Sequence, residues 1–268
     1  MSNILKRTAR ATIRFLRFAG RRYYCALCGR SARRFIPVTN YPGQAVVEKY
    51  HMVAMGNNAH YRCPWCHSSD KERLVWRYLA ERTDFFNSTH LLHVLHVAPE
   101  RNTRKKFQAR PNTDYIHGDM FHGAAKYTPE HYGGAMYLDI TDLSSFKDDS
   151  FDVIICNHVL EHVPNDLQAM RELRRVLKKE GFAILQVPVS RDIKTSFEDS
   201  TMTTDKERLA QFGQSDHVRI YAEKDYIERL KRAGFRIEVI RSRSLFSSNE
   251  LVSWGVNPEE SVYVTRKT

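Results

Sequence analysis

The chain has 268 residues, 42% of them hydrophobic and 27% charged, with 12 Gly and 9 Pro, which excludes collagen-like, low-complexity and wholly disordered chains. No apolar run approaches the ~18 residues of a spanning helix, so an integral membrane protein is not expected. The net charge of +11 is local, because residues 1–34 hold ten Lys and Arg and no acidic residue. The rest of the chain is nearly neutral. Four of the 5 cysteines fall in two C-x2-C pairs. That pattern fits metal binding in a reducing compartment better than a secreted disulfide framework.

The first predicted element, residues 1–22, is a basic amphipathic helix. At helical spacing Ile4, Leu5, Ala9, Ile13, Phe15, Leu16, Phe18 and Ala19 share a broad face, opposite Lys6, Arg7, Arg10, Arg14, Arg17 and Arg21. An Arg or Lys recurs too often for the apolar stretch of a signal peptide. Three readings fit: a helix packed on its own domain, a helix on an anionic bilayer, and an arm on an RNA backbone. Phe15 and Phe18 tilt the balance towards lipid, since phosphate contacts alone need no apolar face.

Residues 23–68 read as a zinc-binding module. Cys25-Ala-Leu-Cys28-Gly29 and Cys63-Pro-Trp-Cys66 are two hooks of the kind that close a tetrahedral four-thiolate site. The ion is expected to be structural. A redox role for the second hook is disfavoured, because no thioredoxin-like pattern surrounds it. Strands are expected at 35–38 and 45–50, and a connecting helix at 70–82 within 69–88, with Leu74, Val75, Tyr78 and Leu79 on one face. Cys156 stands alone in an apolar run and is expected to be buried.

From 89 to 268 apolar strands alternate with helices. Strands are expected at 91–97, 115–117, 135–138, 151–156, 182–187, 235–240 and 261–265. Helices are expected at 102–109, from 167 to about 178 with a stop at Gly181, and at 223–233. This alternation predicts a mostly parallel sheet with helices on both faces, and ligands at the carboxyl ends of its strands.

The run from Asp139 through Asp152-Val-Ile-Ile-Cys-Asn-His158-Val-Leu-Glu161-His162-Val-Pro to Gly181 closely resembles the class I S-adenosylmethionine-dependent methyltransferases. Asp216-His217-Val-Arg219-Ile-Tyr221 and Leu230-Lys-Arg-Ala-Gly234-Phe235 resemble that family's C-terminal portion. The resemblance covers about residues 90–268. It implies a Rossmann-like seven-stranded sheet whose last strand inserts antiparallel, and S-adenosylmethionine as cofactor. Position by position, it implies that Asp119 accepts from the ribose hydroxyls and that Asp139 and Ile140 border the adenine. Asn157 and His158 would face the sulfonium and the acceptor. The family's first strand ends in a glycine-rich loop, but here Leu95-His96-Val97-Ala98-Pro99-Glu100 has no glycine. Ala98 is small enough for close approach, and Glu100, with His96, is placed to meet the amino group.

His158, Glu161 and His162 would lie on one face of a starting helix. Some relatives use such a cluster for a divalent metal, but holding the helix start is the reading preferred here. His217 is a candidate general base, or else a core or capping histidine. The acceptor expected is a hydroxyl or phosphate of a surface-glycan or lipid-linked precursor. A cytoplasmic protein, peripheral on the inner face of the membrane, would suit it. Two alternatives stand. One is RNA base methylation, since some ribosomal RNA guanine methyltransferases carry an N-terminal zinc module. The other is a binding or assembly protein with a decayed cofactor site.

Overall fold

The structure, a computed structural model, describes residues 3–120 and 134–268. In chain order the N-terminal part comprises α1 (Asn3–Phe18), β1 (Tyr23–Cys25), β2 (Arg30–Ala32), β3 (Ile36–Val38), α2 (Gln44–Lys49), β4 (Met52–Val53), β5 (Asn58–Arg62) and α3 (Asp70–Arg82). The main part follows with β6 (Leu92–Val97), α4 (Arg101–Gln108), β7 (Thr113–Asp119), β8 (Met136–Tyr137), β9 (Phe151–Asn157), α5 (Asp166–Val176) and β10 (Leu177–Gln186). Then come β11 (Val189–Ser190), β12 (Phe197–Glu198), α6 (Asp205–Phe212), β13 (Arg219–Ala222), α7 (Glu223–Arg232), β14 (Phe235–Arg241), α8 (Ser242–Leu245), α9 (Ser248–Trp254) and β15 (Ser261–Lys267).

The seven-stranded sheet implied by the resemblance forms with the order β14-β15-β10-β9-β6-β7-β8. Strands β10, β9, β6, β7 and β8 are parallel neighbours, and β15 runs antiparallel to both β10 and β14. Alternate residues of the central strands enter opposite cores. Ile154 and Cys156 join the core that includes residues of α5 and α7, whereas Val153 and Ile155 join the one that includes Leu74, Val75, Tyr78 and Leu79 of α3. Burial on both faces explains why these strands read as continuous apolar runs.

Helix α3 starts where the sequence predicts, because Ser69 and Glu72 form a reciprocal capping box. Two expected elements change. The strand expected at 45–50 is the helix α2, whose Val46 and Val47 pack with Met52, Phe212 and Ile220; a β-branched pair that suggests a strand is here buried by a short helix. The helix expected to run to about 178 ends at Val176. Asp149 and Ser150 donate their N–H groups to the carbonyls of Arg175 and Val176 (3.1 and 2.8 Å), and Leu177 turns extended to pair with Phe151.

The segment after β10 builds a second sheet of order β12-β13-β11-β4. Its edge strand β4 comes from the N-terminal part and pairs with β11 through Val53–Val189 and Met52–Ser190. Arg73 fastens the two parts again. Fully buried under the ring of Phe35, it donates to the carbonyls of His60, Tyr61 and Ser68 on one side and Trp254 and Gly255 on the other. Helix α1 docks through Phe18, which is buried, while Ile13, Phe15 and Leu16 are 63%, 56% and 70% exposed. The side chains of Ile4, Leu5, Lys6, Arg7 and Arg10 lie outside the described residues.

Candidate active site

The four cysteines are free and converge, all sulfurs lying within 4.8 Å of one another. Tetrahedral thiolates at about 2.3 Å from zinc stand ~3.8 Å apart. The observed Cys25–Cys66 and Cys28–Cys63 separations of 3.6 and 3.9 Å fit that spacing. Two tight turns shape the hooks, with Gly29 N–H donating to Cys25 O and His67 N–H to Cys63 O. Gly29 holds the left-handed backbone (φ 67°) that the first turn requires. The donor set therefore fits a structural zinc ion.

The carboxyl ends of four adjacent parallel strands make the second site. Asn157 ends β9, Ala98 and Glu100 follow β6, Asp119 ends β7, and Asp139 and Ile140 follow β8. The glycine-free turn after β6 bends at Ala98, which adopts a left-handed φ of 45° and donates its N–H to Gly118 O at 2.7 Å. Alanine thus takes the conformation for which glycine is the usual residue. Beneath it, buried His96 lies 3.3 Å from the Glu100 carboxylate and also contacts the Tyr115 hydroxyl at 2.9 Å. Asn157 Nδ2 donates to Glu100 Oε1 at 3.2 Å, and its Oδ1 is buried without a partner. Burial would raise the Glu100 carboxyl, but the hydrogen bond and charge of His96, with Asn157 in support, hold it below its ordinary value. Asp139 accepts from the N–H and hydroxyl of Thr141 through one oxygen. Asp119 likewise accepts from Met120 N–H.

Beyond β9 the expected helix start is a short 3-10 turn, Leu160–His162. His158 precedes it at φ 55°. The grouping of His158, Glu161 and His162 on one helical face therefore changes. Glu161 receives His158 Nδ1 at 3.3 Å, and the ligand atoms that converge are those of Glu161, His162 and His217. Asp216-His217-Val-Arg219-Ile-Tyr221 wraps this turn from outside. Val218 N–H donates to Glu161 O, Arg219 donates to the carbonyls of Leu160, Val163 and Pro164, and the Tyr221 hydroxyl reaches Leu160 O. Burial pushes His217 down to about 4, which makes it a weak base at neutral pH. Burial and the nearby Lys71 ammonium also lower His158. Cys156 is buried and its thiol is pushed up by desolvation, as an inert core cysteine requires.

Sequence reasoning missed Lys71. In the run Asp70-Lys-Glu-Arg it reads as part of a solvated helix start, yet its ammonium stands 3.4 Å from His158 Nδ1. It also lines a cavity of about 450 Å³ with Tyr41, Asn57, Asn58, Asp70 and Gln214.

Residues 92–185 match the methyltransferase-domain family. Those residues form a methyltransferase domain. This methyltransferase domain spans β6 to β10, the strands that carry the second site. A further match is to an uncharacterized protein of Methanocaldococcus jannaschii, 52% identical over 42 residues, covering 16% of this chain and 18% of that protein. Among solved structures, a methyltransferase from Archaeoglobus fulgidus is similar at 13% identity and TM-score 0.47, over 83% of this chain and 98% of that one. One from Mesorhizobium loti is similar at 14% identity and TM-score 0.47, over 74% and 100%.

Proposed function

We propose that the protein transfers a methyl group from S-adenosylmethionine to a hydroxyl or phosphate of a surface-glycan or lipid-linked precursor, at an anionic membrane face. The observation that carries the acceptor reading is the uncovered apolar face of α1. Ile13, Phe15 and Leu16 are left exposed by the rest of the described chain, in a segment dense in arginine. A helix of that composition binds a bilayer through both buried apolar area and charge. The cavity lined by Lys71 supports the same reading. Its amide, phenol, carboxylate and ammonium groups suit a polyhydroxylated or phosphorylated acceptor. No helix among the described residues is long and apolar enough to cross a membrane.

The strand ends fit the cofactor. Asp119 would receive the ribose hydroxyls and Asp139 and Ile140 would border the adenine. His96, Ala98, Glu100 and the unpartnered Asn157 Oδ1 would meet the amino-acid part. When bound, S-adenosylmethionine supplies an electrophilic methyl group on sulfur. The protein's contribution is chiefly to hold the acceptor oxygen close and in line. Lys71 neutralises negative charge on the acceptor. His158, 3.3 Å from Glu161 through Nδ1, takes the proton of the acceptor hydroxyl. Zinc bound by Cys25, Cys28, Cys63 and Cys66 holds the N-terminal hooks and with them the entrance formed by Tyr41 and Lys71.

The test is incubation of the full chain with methyl-labelled S-adenosylmethionine and two acceptor pools, lipid-linked glycan precursors and structured RNA. Label is expected in the lipid-linked fraction. Label in RNA instead would replace the acceptor reading with base methylation. Absence of cofactor binding by calorimetry would favour a binding protein with a decayed site.

A further inference from the structure

Behind the acceptor side of the cleft, Glu161, His162 and His217 bring three metal-ligating atoms within 4.8 Å of one another. Glu161 and His217 are each only 1% exposed. Their free atoms have no hydrogen-bond partner: Glu161 Oε2 and His217 Nε2 are both buried and unsatisfied. A bare carboxylate oxygen among imidazoles is costly, because a buried charge needs a counter-charge or donor. The third group is already oriented. His162 Nδ1 lies 3.1 Å from the Asp216 carbonyl and 3.5 Å from its carboxylate, so Nδ1 carries the proton and Nε2 the lone pair. A ligating histidine commonly holds its second N–H against an oxygen in this way. His158, donating to Glu161 Oε1, plays the same supporting part for the carboxylate.

We propose that Glu161 Oε2, His162 Nε2 and His217 Nε2 form a second divalent-metal site, distinct from the four-cysteine site and able to take zinc. Two imidazoles and one carboxylate form a donor set that takes zinc with a fourth position open to water or a substrate oxygen. Donors about 2.1 Å from one ion stand ~3.4 Å apart in a tetrahedron, so the three side chains close by roughly an ångström when the ion enters. The surrounding framework allows that closure while keeping the backbone in place, since Val218 N–H bonds Glu161 O at 3.0 Å and Arg219 clamps the turn. Because Glu161 also orients His158, the ion would link the metal site to the group facing the acceptor.

The inference does not depend on which acceptor is methylated, and it is tested without activity. The full chain is dialysed to equilibrium against buffered zinc and its metal content measured. Two zinc ions per chain are expected. Glu161→Gln, which keeps shape but removes the charge, and His217→Gln are each expected to leave one, with affinity for the second ion reduced at least ~100-fold. His162 is partly exposed, so His162→Gln provides a variant whose folding is not in question. Binding of S-adenosylhomocysteine serves as the check that each variant is native. Cys63→Ser should lose the other ion and retain this one. One zinc per chain in the wild type, or two retained in natively folded His162→Gln, would overturn the proposal.

Discussion

At the scale of single residues the turn after β6 is the most informative position. Ala98 sits at φ 45°, where an L-residue pays about 1–2 kcal/mol. Ala98→Gly removes that strain but adds about 0.4–1 kcal/mol of unfolded-state entropy. The net expectation is a small stabilisation of about 0.5 kcal/mol, read from the urea midpoint, with cofactor affinity retained. Asp139→Ala is expected to weaken S-adenosylhomocysteine binding by about 1–3 kcal/mol, the scale of a lost buried polar partner; unchanged calorimetric affinity would remove Asp139 from the site. Glu223 gives a pH dependence of known sign. Burial would raise its carboxyl, but hydrogen bonds from Arg241 (2.7 Å) and the Tyr263 hydroxyl (2.6 Å) outweigh it and hold it below its ordinary value. A depressed folded value means stability that is full above the unfolded carboxyl range and lost as pH falls through the folded one. Glu223→Gln should therefore cost about 1–2 kcal/mol at pH 7, discounted for the solvent around Arg241. The gap to wild type should begin to narrow at the ordinary glutamate value, about pH 4.3, and close as pH falls through the lower folded value.

At the scale of elements, α1 separates lipid from RNA. Phe18 is buried and belongs to the docking of the helix, so the exposed set Ile13, Phe15 and Leu16 is the one to alter. Phe15→Ser with Leu16→Ser should abolish co-sedimentation with anionic vesicles, because interfacial binding scales with inserted apolar area. Arg14→Lys with Arg17→Lys keeps the charge and should leave it intact. An RNA arm would lose far less from the apolar substitutions than from removal of the arginines. The sequence made this helix and its two faces legible. It could not tell whether the apolar face would be covered, since coverage depends on what packs nearby. The same limit explains α2. Val46 and Val47 favour a strand locally, but contacts with Phe212 and Ile220, distant in sequence, select a helix.

At the scale of the molecule, the cysteine hooks and the sheet are one mechanical unit. Strand β4 completes a sheet with β11, and buried Arg73 ties carbonyls from both parts together. Arg73→Met would leave several buried carbonyls without donors, at a cost of about 3 kcal/mol. Chelating the zinc should likewise destabilise the N-terminal part, since metal-binding energy there is folding energy. Methyl transfer should fall with it, because Lys71 and Tyr41 would lose their places beside the cleft. A chelated chain of unchanged melting temperature would contradict this coupling.

The sequence by itself determined the alternation of strands and helices, the paired cysteine hooks, the capped start of α3 and the residues that gather at the strand ends. Each rests on local spacing, and parallel strands buried on both faces leave an apolar signature that needs no partner to be read. Tertiary structure alone decided that Lys71 meets His158, that Arg73 is an internal clamp, and that His217 joins Glu161 and His162 while His158 stands outside that group. The physical reason is the turn after β9. As a continued helix it would have set His158, Glu161 and His162 on one face by periodicity. As a 3-10 turn held from outside by Arg219 and Tyr221, it aims its side chains at a loop more than fifty residues away in the chain.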